Sequence, residues 1–191
     1  MRRTAPIRLA RAALLLSASL PAAAQSLADR AALIEAHIAA GRTAEAHAEA
    51  RALHRAATLA AGFHLTPPVL TAEPARGLGV YTPRASAIYP PGEPVLQYFE
   101  ASGFGLEPGP DGTNRFRLQI VFRLIDATGA DISGPVDMGV IAFETRAEPT
   151  ETYVDLTYNI RGVTGPHLLR TSVTDLVTGR SAQIEQAVEF R

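Results

Sequence analysis

Five histidines, His37, His47, His54, His64 and His167, are the first candidates for metal or proton chemistry. His47 and His54 share one helix face, but seven residues at ~1.5 Å rise set them about 10 Å apart. Zinc pairs on helices stand at i, i+3 or i, i+4, with ligands about 2 Å from the ion. The other three histidines fall on separate elements. Their spacing predicts packing or surface roles, with no metal site. A Ser-His-Asp relay would need His167 with Ser172 and Asp175. His167 and Ser172 are an odd number of positions apart in one strand and so point to opposite faces. No Gly-x-Ser-x-Gly elbow is present. Glu144, Glu148 and Glu151 could supply paired carboxylates for glycoside hydrolysis, yet they cluster on a polar connection between strands. Asp111, Asp126, Asp131 and Asp175 stand at or beside turns, where carboxylates cap backbone amides, and no Asp-x-Asp-x-Asp spacing suggests calcium. The glycine-rich segment 103–112 contains prolines, Glu107 and Asp111 and no lysine, so it is not a phosphate loop. As the longest loop of the β region, it is the expected recognition loop. No catalytic, cofactor-binding or metal-binding set emerges from these residues.

Composition narrows the field further. The chain has 191 residues, room for one domain and an accessory element. At 47% hydrophobic it can build a core. Cysteine is absent, which excludes disulfides, thiolate metal sites, a cysteine nucleophile and a lipidated amino terminus. All 18 basic residues are arginine. Arg2, Arg3, Arg8 and Arg11 precede residue 25, leaving 14 arginines against 19 acids, a net charge of −5. Such a balance gives no electrostatic reason to seek nucleic acid or anionic lipid.

Residues 1–24 read as a Sec-type secretory signal peptide. A basic start leads to an apolar run from Ala12 to Leu20, then Pro21, then Ala22-Ala23-Ala24 before a cut at Gln25. The apolar run is too short for a membrane span. Residues 25–62 read as an α-helical hairpin. Ser26 caps the first helix with Asp29 in a capping-box position, and Gly41 ends it. Thr43 is the expected cap of the second helix, ended by Gly62. Leu27, Ile34, Ile38 and Leu53 are the apolar anchors of otherwise alanine stripes. Residues 63–79, with three prolines and two glycines, read as an extended linker.

From residue 80 the chain turns to strands. Strands are expected within 78–88, 95–101, 116–124, 136–145, 152–160, 167–175 and 182–190, about seven at the spacing of an antiparallel β-sandwich. Phe116, Leu118, Ile120, Phe122 and Leu124 alternate inward, as do Thr152, Val154, Leu156, Tyr158 and Ile160. The aromatics fall mostly on inward positions, with Tyr153 on a wet face, which argues against a sugar platform.

Gly165, Leu169, Val173, Asp175 and Gly179, followed by an apolar-alternating terminal strand, resemble the closing hairpin of bacterial immunoglobulin-like modules. The resemblance covers the last third of the chain and implies an immunoglobulin-like sandwich over residues 80–191. Residues 39–46 are similar to the inter-helix turn of tetratricopeptide repeats, but a solenoid needs about three units and one is present.

These readings predict an exported, non-catalytic binding or assembly module of the periplasm or cell envelope. Its expected partner is a protein, or a second copy bound through the helical hairpin. No cofactor, nucleic acid or membrane span is expected. Two alternatives stay open: a hydrolytic or carbohydrate-active enzyme with a shallow site, and a chaperone-like subunit that pairs an edge strand with its partner. Export makes a direct prediction. Intact mass of the chain recovered from its producing cell begins at Gln25, and a mature chain retaining Met1 contradicts the leader assignment.

Overall fold

The computed structural model describes residues 26–191; the expected leader lies outside the described residues. Helix α1, Leu27–Ala39, opens on a closed capping box. The Ser26 hydroxyl accepts from the Asp29 N–H at 3.1 Å, and the Asp29 carboxylate accepts from the Ser26 N–H at 3.2 Å. Gly41, at φ +69°, turns the chain into helix α2, Thr43–Ala61. Thr43 is the first helical residue rather than the cap, and Arg42 stands at the cap without a side-chain bond. The two helices pack on each other, tied by an Arg30–Glu49 pair at 3.2 Å. Ala46 is the buried residue of the pair. Two expected anchors face water instead, Leu27 at 42% and Ile38 at 65% exposure. Alanine stripes let the helices approach closely but leave little apolar area to bury.

Ten strands follow in order. They are β1 (His64–Leu65), β2 (Val69–Leu70), β3 (Ile88–Tyr89), β4 (Val95–Ser102) and β5 (Glu107–Pro108). The rest are β6 (Asn114–Asp126), β7 (Val136–Thr145), β8 (Glu151–Tyr158), β9 (Gly165–Asp175) and β10 (Ser181–Phe190). In the first sheet β4 pairs with β8 along its whole length, and on its other side with β1 and β2. The second sheet runs β3-β10-β9-β6, with β5 and β7 both on β6. Every pairing is antiparallel except β3 with β10. The chain is thus mainly β, with two helices in front. The 63–79 stretch, expected as linker, supplies β1 and β2, and Phe63 and Leu65 pack against the core.

The period-two pattern decides which side chains meet. Val95, Phe99 and Ala101 of β4 and Val154, Leu156 and Tyr158 of β8 join one apolar cluster with residues of the second sheet. The latter include all five expected inward residues of β6, together with Leu169, Val173, Ile184, Val188 and Phe190. Within that cluster lies a polar knot. The Tyr158 hydroxyl donates to Gln97 Oε1 at 2.7 Å and lies 2.7 Å from the Thr171 hydroxyl. Asp175, fully buried, accepts from the Gly105 N–H at 2.8 Å and the Val177 N–H at 3.0 Å, and from the Thr178 hydroxyl. This explains a glycine at 105: a Cβ there would lie 2.7 Å from Thr178 Cγ2.

On the outer face of the first sheet, Tyr98 is covered by Tyr81, with ring centroids 4.2 Å apart, and neighbours Tyr153 at 6.1 Å. Its hydroxyl accepts from the Gly79 N–H at 2.7 Å and donates to Glu100 at 2.5 Å. Tyr98 therefore faces outward yet is buried, so the outer-face aromatics are not confined to Tyr153. Burial, then the hydrogen bond to Glu100, pushes the Tyr98 phenol up to about 12, and burial raises Tyr158 as well.

Two predictions follow from this packing. Both phenols hold their protons longer folded than unfolded, so the native state binds more protons above the ordinary tyrosine value of about 10. Stability is intact below about pH 10 and falls as pH rises toward 12; urea midpoints measured across that range check it. Tyr98→Phe removes part of the drop, and a flat profile contradicts the assignment. Asp175→Ala strands two backbone donors and costs about 3 kcal/mol by urea unfolding. Asp175→Asn, which keeps an acceptor, costs less; equal losses would refute the amide-holding role.

Candidate functional site

The residues singled out for chemistry are spread over the fold rather than gathered. His167 lies buried on the core side of β9, its Nδ1 3.0 Å from the Gly165 carbonyl and its ring edge-on to Phe190. Ser172 faces the other way, with its hydroxyl 3.4 Å from Gln183. Asp175 is engaged in the turn described above, so these three form no relay. Asp126 accepts from Thr128 and Ala130, and Asp131 from Arg123 and Gly134. The Thr128 hydroxyl bond holds the Asp126 carboxyl below its usual range, and the Arg123 bond does the same for Asp131. Each aspartate is occupied by its own turn.

The glycine-rich loop 103–112 does not behave as a free recognition loop. Gly103 sits against the Gly62 carbonyl, where a Cβ would approach to 2.3 Å. Phe104 is buried against Phe116, with centroids 4.5 Å apart. Gly105 is clamped by Asp175, and Glu107 pairs with Arg115 at 2.8 Å and Arg117 at 3.1 Å. The loop is pinned from Gly103 to Glu107, and its tip at 110–112 is exposed.

His47 and His54 do converge on something. With Arg51, Leu78, Glu148 and Glu151 they line a pocket of about 580 Å³ between α2 and the connection 146–150. His54 Nδ1 lies 3.4 Å from the Thr150 hydroxyl, and Arg55 pairs with Glu148 at 3.3 Å. Among the described residues no three His, Asp or Glu side chains gather as metal ligands. These polar contacts dock the hairpin on the β region.

The surface with an unfilled physical requirement lies on the other side of that connection, between β7 and β8. Among the described residues β7 pairs only with β6, and β8 only with β4, so each presents one bare backbone edge to them. Register places Phe143, Ile141 and Val136 of β7 opposite Phe116, Leu118 and Phe122, which are all buried. Cross-strand partners share a face, so this is the core-side face of β7. It is only partly covered: Phe143 is 58% and Val136 39% exposed, while Ile141 and Met138 are partly buried against the core. A bulge between Ile120 and Val121, with Gly139 at φ +96°, leaves Met138 without a partner on β6 and turns it into the gap. There a cleft of about 460 Å³ opens, lined by Phe122, Ile132, Met138, Tyr158, Ile160 and Val163.

Two of its polar side chains are already engaged, while Thr157, Asn159 and Arg161 also line it. The Ser133 hydroxyl accepts from the Leu124 N–H and donates to the Gly134 carbonyl, and Tyr158 belongs to the core knot. What the cleft offers a ligand is apolar surface beside unpaired backbone. The outward side chains of β8 include the carboxylates Glu151 and Asp155, while Asp137 and Glu144 of β7 stand on the outer face of the second sheet, bonded to Gln119 and Thr113. Asp155 accepts from the Ala75 N–H at 3.2 Å, and burial raises its carboxyl above the usual range. Sequence reasoning missed this site, although one signal was present. Residues 140–143, Val-Ile-Ala-Phe, are apolar on both faces of a strand whose inner face is only partly covered.

No protein-family model matches the chain. No curated protein matches its sequence. Similar solved structures include an alkylpurine DNA glycosylase, AlkC, of Pseudomonas fluorescens bound to abasic-site DNA. That similarity has a TM-score of 0.38 at 14% identity and covers 84% of this chain and 41% of the other. The chain thus spans less than half the length of that enzyme. A superoxide reductase of Ignicoccus hospitalis matches at a TM-score of 0.38 and 13% identity, covering 69% of this chain and 84% of that one. The CARDB domain of a Pyrococcus furiosus protein, in complex with di-metal ions, matches at 0.33 and 7%, covering 68% and 86%. These similarities extend to β-rich architecture and no further.

Proposed function

We propose that the chain is an exported, non-catalytic binding or assembly module that engages a protein partner by strand pairing on its open side. The observation that supports this reading is the partly uncovered core-side face of β7 lying beside the bare edge of β8. An apolar strand face left in water is costly, and unpaired edges template the addition of another strand. The scaffold we infer is an immunoglobulin-like β-sandwich. In support of it, β2-β4-β8 and β3-β10-β9-β6-β7 contribute to one cluster, and the closing hairpin β9–β10 is anchored by Asp175. Export rests on the leader pattern of residues 1–24. Among the described residues no helix is long and apolar enough to cross a membrane.

The helical hairpin supports a second binding surface, because Ile38 stands well exposed on a helix with little buried area. One experiment separates the two surfaces. Phe143→Asp and Ile38→Asp each change an exposed side chain, so unfolding midpoints stay within a few degrees of the parent. Co-purification from envelope extract and sedimentation report partner binding and self-association. Phe143→Asp weakens partner binding at least tenfold while Ile38→Asp leaves it intact. The reverse pattern moves the function to the hairpin and overturns the open-side reading.

A further inference from the structure

We infer that the seat beside β8 takes one extended segment whose side chains alternate between apolar and basic, completing the narrow first sheet under the overhang of β7. The inference rests on the open-side reading and names its occupant. β8 is eight residues long, Glu151–Tyr158, about 27 Å of edge at ~3.4 Å per residue. A strand added there would lie ~4.8 Å from β8, with alternate side chains directed toward the second sheet ~10 Å away. Those side chains meet Phe143, Ile141 and Met138, so they are apolar, with the largest at the Tyr158 end where the 460 Å³ cleft lies.

The remaining side chains of the incoming strand stand beside the outward residues of β8: Glu151, Tyr153, Asp155 and Thr157. Opposite charges across paired strands stabilise and like charges destabilise. Glu151 is exposed, and Asp155 has one carboxylate oxygen, Oδ1, buried without a hydrogen-bond partner. Tyr153, between them, offers a ring face to a guanidinium or ammonium. The net charge of −5 after the leader acts in the same direction.

A second copy of this chain is a poor occupant. Its own strand of that pattern is β6, with Phe116, Leu118 and Ile120 alternating with Arg115, Arg117 and Gln119. β6 is held between β7 and β9 and cannot be donated.

The test uses the full chain and three blocked nine-residue peptides: alternating Val and Arg, the same composition as an Arg block followed by a Val block, and alternating Val and Glu. Hydrogen exchange by mass spectrometry and fluorescence anisotropy report location and affinity. The alternating Val/Arg peptide slows exchange across 151–158 and binds at least tenfold tighter than either control. Glu151→Arg weakens that peptide at least threefold with an unchanged unfolding midpoint, and Phe143→Asp weakens it by more. If the Val/Glu peptide binds equally well with the same protection, the basic-partner assignment is wrong and strand reception at β8 stands. If no peptide protects 151–158, or if the chain protects that stretch itself by dimerising, the seat is wrong and the open-side reading falls with it.

Discussion

Unequal sheet width is the constraint from which most of this structure follows. A strand that contributes to a core must have its inner face covered, and here the covering layer is narrower than the layer it covers. The second sheet sets β10, β9, β6 and β7 side by side; the first has only β4 and β8 as long strands. Short strands fill one side of the deficit. β1 and β2 pair with β4, and Leu70 is buried there. On the other side nothing among the described residues extends the sheet beyond β8. Val136 and Phe143 keep the register of a core strand yet stay exposed, while Ile141 is partly buried against the core.

How much of this was legible in the sequence differs from element to element, for physical reasons. The expected span 116–124 falls within β6 because strict alternation declares both strand and face, whereas 136–145 matches β7 in extent although its run Val140–Phe143 does not alternate. Outer-face Tyr98 was misread because alternation assigns a face but cannot say what covers it, and Tyr81 comes from a segment with no periodicity. The 63–79 stretch looked like linker since its strands are two residues long, too short for any pattern. The cleft was invisible for a related reason. It arises from what is missing beside β8, and a sequence records the residues present, not the neighbour a strand lacks. Gly105 likewise fell within the expected recognition loop, whereas Asp175, seventy positions away, fixes it in place.

The helical hairpin shows how weak local forces can suffice when tertiary contacts carry little. Its capping box closes as the sequence pattern requires, and its alanines favour helix. Yet Leu27 and Ile38 remain exposed, and the attachment to the β region is polar: Arg55 with Glu148 and His54 near Thr150. Exposed ion pairs each contribute about 0–1 kcal/mol, so they orient the hairpin more than they hold it. The continuous chain through Phe63 and Leu65, both packed on the core, supplies the firmer tether.

Bare edges beside apolar surface would ordinarily invite aggregation, and the same residues that would attract a partner limit that hazard. The bulge at Met138 and Gly139 breaks the flatness of β7, which hinders edge-to-edge stacking of two copies. Glu151 and Asp155 set carboxylates along the outward side of β8. A second copy approaching by this edge brings the same carboxylates and meets repulsion across every register that places them opposite. A basic strand meets the reverse. An acidic edge beside an apolar gap therefore discourages self-pairing and favours a cationic segment through one set of charges, so specificity and solubility here draw on the same residues.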